Sequence, residues 1–199
     1  MTVFFDVDTQ LDFLYPAGAL YVPCAESIVP RVAALNQYAV QHGIPVVSTM
    51  DAHPENDPEF RAWPPHCVAG TAGQQKPAAT LLEKRATVRS TPHNLDALDI
   101  QGAQQILLEK QSVDCFTNLN LPALLDRLDA ERCVVYGVVT EICVKNAALG
   151  LLKSARRVTL VTDAVRSLDA AKREQFLKEF AAAGGELATV QTIVGSNTL

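Results

Sequence analysis

The 199-residue sequence has little that favours a membrane or a nucleic acid as a partner. No apolar run approaches the length of a membrane-spanning helix, and the first ten residues, MTVFFDVDTQ, carry acidic side chains where a secretion signal carries basic ones. The 17 Lys and Arg are outnumbered by 22 Asp and Glu, so the net charge is −5 and no basic surface for nucleic acid is indicated. We therefore expect a cytoplasmic protein with no nucleic-acid or membrane partner.

Paired cysteines, internal repeats, low-complexity tracts and Gly/Ser linkers are also missing. Five cysteines, an odd number without a C-x-x-C pair, argue against a disulfide framework and against a thiolate zinc site. Hydrophobic residues make up 48% of the chain, enough for a substantial core. The length and the lack of linkers predict a single domain spanning residues 1–199.

Short apolar or β-branched runs alternate with amphipathic patterns along the chain. The former predict six strands and the latter predict helices; residues 70–105 look like a loose internal loop. Near-continuous apolar strands separated by helices are typical of an α/β fold, a three-layer α/β/α sandwich with a six-stranded, mostly parallel sheet. The predicted strands are residues 3–7, 44–49, 105–109, 133–139, 157–161 and 188–194; the predicted helices are 25–41, 121–128, 141–154 and 170–183.

Reactive side chains follow several of the predicted strands. Asp8 follows the first, Asp51 and His53 follow the second, Lys110 follows the third, and Cys143 begins a helix after the fourth. Parallel sheets bind ligands beyond the carboxyl ends of their strands. We therefore expect these side chains to meet at one edge of the sheet.

Cys143 is the strongest candidate for a nucleophile. At a helix N-terminus, backbone N–H groups and the helix dipole stabilise a thiolate and the oxyanion that its attack on a carbonyl creates. A buried cysteine acting as a small apolar residue is the alternative.

Asp8 and Lys110 form a candidate acid–base pair. An aspartate beside an ammonium group stays ionised, so it can take the thiol proton and later protonate a leaving amine. Taken singly, Asp8 could equally cap a turn, and Lys110 could be a surface charge.

Asp51, His53 and His66 provide one carboxylate and two imidazoles within sixteen residues. This set suits one divalent metal ion, Zn²⁺ first and Mn²⁺ or Fe²⁺ as alternatives, and leaves open positions for water or substrate. The competing interpretation is a turn aspartate near two histidines whose hydrogen bonds are satisfied by the protein.

Four sequence blocks together resemble the isochorismatase-like cysteine hydrolases and, within them, the nicotinamidases. Their order and spacing cover residues 8–164 and are specific to that family. The blocks are Asp8-Thr9-Gln10-Leu11-Asp12-Phe13; Asp51-Ala52-His53-Pro54 with Trp63-Pro64-Pro65-His66-Cys67; Lys110 ahead of Asp114-Cys115-Phe116; and Gly137-Val138-Val139-Thr140-Glu141-Ile142-Cys143-Val144.

The resemblance implies an amidase that hydrolyses nicotinamide through a thioester on Cys143, a step of NAD salvage in pyridine nucleotide metabolism. Asp8 would shuttle protons, and Lys110 would be the electrostatic partner of Asp8 and Cys143. Asp51, His53 and His66 would bind the metal. The resemblance also implies a small-molecule amide substrate and a homo-oligomer. A cis peptide bond at Val138–Val139 is implied as well, with the N–H groups of Val139 and Cys143 forming the oxyanion hole and Phe13, Trp63, Val138 and Val139 contacting the substrate.

Two departures bear on the substrate. Ala52 and Asp57 stand where many nicotinamidases have Trp and His, and the loop over residues 72–104 matches nothing in the family. Another small amide or a carbamoyl compound is therefore an alternative substrate. A catalytically silent binding protein on the same fold is a third interpretation.

Overall fold

The computed structural model describes residues 1–91 and 100–195. Strands and helices alternate along the chain, as the sequence predicts. The strands are β1 (Thr2–Val7), β2 (Val46–Asp51), β3 (Arg85–Val88), β4 (Gln105–Lys110), β5 (Arg132–Val138), β6 (Arg157–Arg166) and β7 (Glu186–Ala188). The helices are α1 (Leu11–Leu14), α2 (Val29–Gln41), α3 (Leu121–Arg127), α4 (Lys145–Lys153), α5 (Ala170–Ala182) and α6 (Val190–Val194), with short 3-10 turns between them.

The strands form one sheet in the order β3-β4-β2-β1-β5-β6-β7. Each of its neighbouring pairs is parallel. This is the predicted α/β fold, although the sheet has seven strands rather than six. No helix in the described ranges has both the length and the apolar character needed to cross a membrane.

The core lies on both faces of the sheet. Successive side chains of a strand point to opposite faces, so Val3, Phe5 and Val7 of β1 pack in one apolar cluster with residues of α3, α4 and α5. Phe4 of β1 packs in a second cluster with residues of α1, α2 and α6. Two cores on the two faces of one sheet make the predicted three layers.

Two parts of the predicted pattern are wrong. The stretch assigned to a loose loop contains the short edge strand β3, in which only Val88 is buried, so it lacks the apolar run that marks the other strands. The predicted strand at 188–194 keeps only Ala188 in β7. Thr189 then caps α6 by accepting the N–H of Thr192, which turns the β-branched residues after it into a helix.

The predicted helix at 25–41 is divided. Residues Ala25–Ile28 form a 3-10 turn, and the α-helix starts at Val29, with Pro30 in its first turn. Proline favours this position because the N–H that it lacks would have no intrahelical partner there. Residues 92–99 of the predicted loop at 72–104 lie outside the described residues.

Candidate active site

The predicted site residues meet at the carboxyl ends of four neighbouring strands. Lys110 ends β4, Asp51 ends β2 and Asp8 follows β1, while Cys143 lies five residues beyond the end of β5. Because these strands are adjacent in the order β4-β2-β1-β5, the sheet sets the four side chains side by side. Asp51 and Lys110 are direct partners in the register of β2 and β4.

Lys110 connects the other three residues. Its ammonium group, on a fully buried side chain, lies 2.8 Å from Asp8 Oδ2 and 3.9 Å from Cys143 Sγ. It also donates a hydrogen bond to Asp51 Oδ1. The other oxygen of Asp8, Oδ1, accepts a hydrogen bond of 2.7 Å from Thr49 Oγ1. The cluster thus holds a base and a thiol against one cation.

Burial and charge set the protonation of this cluster. Burial raises the pKa of Asp8 above its usual value, and Lys110 opposes that rise without cancelling it. Burial alone would lower the pKa of Lys110, but attraction to Asp51 and Asp8 outweighs it and holds this pKa well above its usual value. Asp8 is therefore a stronger base than an exposed aspartate, and Lys110 remains an ammonium ion.

Cys143 lies near the N-terminus of the helical segment that follows β5, as predicted. This segment begins with a π-helical turn, Thr140–Val144, and continues directly into α4 at Lys145. Burial raises the pKa of the Cys143 thiol well above its usual value, and the attraction of Lys110 only partly offsets this. Burial therefore favours the thiol over the thiolate, and a base such as Asp8 is needed to take its proton. The peptide bond Val138–Val139 is cis, as the resemblance implies.

Asp51, His53 and His66 form the compact cluster of ligand atoms that the sequence predicts. One atom from each residue lies within 4.8 Å of the others, and all three residues are buried. The Nε2 atoms of both histidines lie 3.8 Å from Asp51 Oδ2, and Nε2 of His53 is buried without a hydrogen-bond partner among the described residues. An unpartnered buried nitrogen beside a carboxylate oxygen fits a divalent metal ion.

Hydrogen bonds at the other ring nitrogens fix the orientation of both imidazoles. Nδ1 of His53 lies 3.0 Å from Asp57 Oδ2, and Nδ1 of His66 lies 2.8 Å from the carbonyl oxygen of Pro64. Because each partner is an acceptor, each Nδ1 carries the proton and each Nε2 presents its lone pair to the cluster. Asp57 therefore orients His53 and is not one of the clustered ligands.

The charges of the buried cluster also favour a cation. The carboxylates of Asp8 and Asp51 carry two negative charges against the single positive charge of Lys110. Burial alone would raise the pKa of Asp51, but Lys110 and His53 outweigh burial and lower it, so this carboxylate is ionised. Burying an excess negative charge is costly unless it is paired, and a metal ion bound to Asp51, His53 and His66 would pair it.

Sequence reasoning missed two residues whose hydrogen bonds position the Asp51, His53 and His66 cluster. The side-chain amide of Gln10 accepts the N–H of Asp51 and donates to its carbonyl oxygen, at 2.7 and 2.8 Å. Asp12 Oδ2 accepts the N–H of Cys67, the residue after His66, at 2.7 Å. Gln10 and Asp12 belong to the same sequence block as Asp8, and this block is the only sign of their importance in the sequence. Their hydrogen-bond partners are distant in sequence, so the block does not identify them.

A cavity of about 310 Å³ opens beside Cys143. Of the four residues expected to contact the substrate, Phe13, Trp63 and Val139 line it, together with Asp51 and His66. The fourth, Val138, is fully buried in β5 and is not among the lining residues. Five further lining residues were not predicted: Leu20, Glu59, Val113, Ile142 and Leu168. Most of the lining side chains are apolar, so the cavity suits a small, mainly apolar molecule.

A buried thiol beside a base and an ammonium ion, at the carboxyl edge of a parallel sheet, defines a cysteine hydrolase. The isochorismatase domain family matches residues 2–192, and the chain belongs to this family. In an alignment of 210 positions, including gaps, the chain is 26% identical to the nicotinamidase of Escherichia coli strain K12, and the alignment covers 92% of each chain. It is 23% identical to the nicotinamidase of Saccharomyces cerevisiae, covering 81% of this chain and 86% of that one.

The fold is similar to that of the pyrazinamidase of Pyrococcus horikoshii, whose structure was solved in complex with zinc. The two chains have a TM-score of 0.78 at 28% identity, covering 94% of this chain and 98% of the other. With the family match and the curated relatives, this similarity identifies the protein as an amidohydrolase.

Proposed function

We propose that this enzyme hydrolyses nicotinamide to nicotinate and ammonia, with Cys143 as the nucleophile. The observation that carries the proposal is the contact of Lys110 with both Cys143 and Asp8, beside a small cavity that is also lined by two of the clustered ligand residues. The similarity to nicotinamidases supports the choice of amide. Phe13 and Trp63, on the cavity wall, are suited to contact a flat aromatic ring.

Acylation begins with proton transfer from the Cys143 thiol to Asp8. The sulfur attacks the amide carbon, and the negative charge moves to the carbonyl oxygen, where the N–H groups of Val139 and Cys143 would stabilise it. Asp8 then gives the proton to the amide nitrogen, the C–N bond breaks and ammonia leaves. The acyl group remains on sulfur as a thioester.

In deacylation, water takes the place of the thiol as the attacking group, and Asp8 again carries the proton. Asp8 accepts a proton from an incoming water, whose oxygen attacks the thioester carbon. When the tetrahedral intermediate collapses, the C–S bond breaks, and Asp8 returns the proton to the sulfur. Lys110 remains charged throughout, because the two aspartates hold its pKa high.

The proposed cofactor is one divalent metal ion, Zn²⁺ first, held by Asp51, His53 and His66. When bound, the ion would act as a Lewis acid that holds an electron pair of the substrate's ring nitrogen and so selects a pyridine ring. Asp51 and His66 both line the cavity, so ligand atoms and nucleophile face the same space.

Ammonia release from nicotinamide by the purified, metal-analysed enzyme tests the proposal. We expect release that is lost in Cys143→Ala and kept in Cys24→Ala, a matched change at an exposed cysteine. Activity of more than a few per cent in Cys143→Ala would contradict its role as nucleophile. No release by a metal-loaded enzyme whose Cys143 reacts with iodoacetamide would contradict nicotinamide as the substrate and favour another small amide or a carbamoyl compound.

A further inference from the structure

Part of the cavity wall comes from the connection between β6 and α5, residues 167–169. Leu168, in this connection, lines the cavity and is 41% exposed. Among the described residues, the other exposed large hydrophobic side chains, Met1, Leu119 and Leu187, do not line it. An exposed leucine at a cavity beside a nucleophile is placed to contact what enters.

The position of this connection is set by the two residues that precede Ile142 and Cys143. Glu141 Oε1 accepts the backbone N–H groups of Leu168 and Asp169, at 2.9 and 2.8 Å. Thr140 Oγ1 donates to the carbonyl oxygen of Arg166, at 2.8 Å. Hydrogen bonds to a carboxylate are stronger than those between neutral groups. The wall is therefore tied directly to the turn that presents the sulfur.

The helix after this connection does not depend on Glu141. Asp169 caps α5 with its own side chain, which accepts the N–H groups of Ala171 and Lys172 at 2.8 and 3.0 Å. Phe176 and Phe180 of α5 are fully buried in the core. Loss of the Glu141 carboxylate should therefore free the connection without unfolding the helix.

We propose that Glu141 is a specificity-determining positioning residue, which holds Leu168 in place and so limits the size of the amides that reach Cys143. Glu141 takes no part in proton transfer; it acts through Leu168. The proposal rests on the proposed function only in taking Cys143 as the reacting residue. The class of substrate that it implies is small amides, with bulkier amides excluded.

The test compares alkylation of Cys143 by two reagents with the same electrophile, iodoacetamide and the bulkier iodoacetanilide. The rate at Cys143 is followed by peptide mass spectrometry, which separates it from the exposed Cys24. The ratio of the two rates reports access, because any change in thiolate fraction affects both reagents equally. We expect Glu141→Ala and Leu168→Ala each to raise the iodoacetanilide-to-iodoacetamide rate ratio by about fivefold or more. A factor of this size corresponds to the free energy of about one hydrogen bond.

The matched control is Glu141→Gln, which keeps a carbonyl oxygen for both N–H groups and removes the charge. Its ratio should stay within about twofold of the wild type, and the double variant Glu141→Ala/Leu168→Ala should equal the larger single effect, because the two residues act as one unit. An unchanged ratio in Glu141→Ala, a Gln variant that behaves like the Ala variant, or multiplying effects in the double variant would each overturn the proposal. If Cys143 in the wild type does not react with either reagent, both its role as nucleophile and the role of Glu141 are refuted. If Cys143 reacts normally but the ratio is unchanged in Glu141→Ala, only the role of Glu141 is refuted.

Discussion

Replacing Asp57 with Asn should weaken metal binding although Asp57 is outside the ligand cluster. One carboxylate oxygen, Oδ1, accepts the N–H of Glu59 at 2.8 Å and caps the 3-10 turn Pro58–Arg61. The other, Oδ2, accepts the Nδ1 proton of His53. In the Asp57→Asn variant the carbonyl oxygen of the new amide would keep the cap, so its NH₂ group would face His53. The imidazole would then have to accept at Nδ1 and carry its proton on Nε2, the atom that should bind the metal.

The size of the effect follows from that change of tautomer. Loss of the group that orients a metal-bound histidine costs about 10–100-fold in metal affinity, or about 1.4–2.7 kcal/mol at 1.36 kcal/mol per factor of ten. The effect should also depend on pH. Burial alone would lower the pKa of His53, but attraction to the Asp51 carboxylate and the hydrogen bond to Asp57 outweigh it and raise this pKa above its usual value. Protons therefore compete with the metal as the pH falls, and they compete less in Asp57→Asn, where the hydrogen bond to a carboxylate is lost.

The dissociation constant for Zn²⁺, measured by competition with a chromophoric chelator at pH 8 and at pH 6, tests this reasoning. We expect the ratio of the variant's constant to the wild-type constant to be larger at pH 8. Asp114→Asn is the matched control, since Asp114 also caps a 3-10 turn, by accepting the N–H of Phe116, and is absent from the ligand cluster. A constant for Asp57→Asn within about twofold of the control at pH 8 would refute the assigned role of Asp57.

Three further outcomes are expected. Because burial raises the pKa of the Cys143 thiol, its alkylation by iodoacetamide in the unliganded enzyme should rise about tenfold per pH unit between pH 6 and 8; a plateau in that range would show a preformed thiolate. Gly137→Ala should lower the melting temperature by several degrees, since a Cβ there would lie 2.0 Å from the carbonyl oxygen of Val7 and the φ of 121° disfavours a side chain; an unchanged melting temperature would contradict the close approach. Lys76→Met should destabilise the fold by about 3–5 kcal/mol in urea denaturation, because it leaves the buried carboxylate of Asp6 without its cation; a loss below about 1 kcal/mol would show that hydrogen bonds alone satisfy Asp6.

The sequence predicted the positions of site residues well where a reactive side chain directly follows or ends an apolar strand. Asp8, Asp51 and Lys110 were assigned to strand ends from local pattern alone, and parallel pairing then brings such ends together. The pattern failed for residues 190–194, because β-branched side chains also form a helix when Thr189 caps it. It also gave no sign that Glu141 and Asp57 position other residues, since such contacts depend on how turns fold back.

Contacts across the sheet were the other part that local pattern could not supply. Gln10 and Asp12 carry no periodicity that names their partners, yet they bond to the backbone of Asp51 and Cys67 on other segments. The burial of Cys143 is a further example, because a helix terminus is a local feature whereas burial depends on the packing of the whole fold.

The position of Lys110 between two carboxylates makes the proposed catalytic base and the proposed metal site thermodynamically reciprocal. The single ammonium group contacts both Asp8 and Asp51, so a change of charge at either carboxylate alters the field at the other. By linkage, whatever binding of a metal does to the proton affinity of Asp8, protonation of Asp8 does in equal measure to the affinity for the metal. A substitution that changes the proton affinity of Asp8 therefore also changes the affinity for the metal. An evolutionary change of metal would likewise shift the pH range of catalysis.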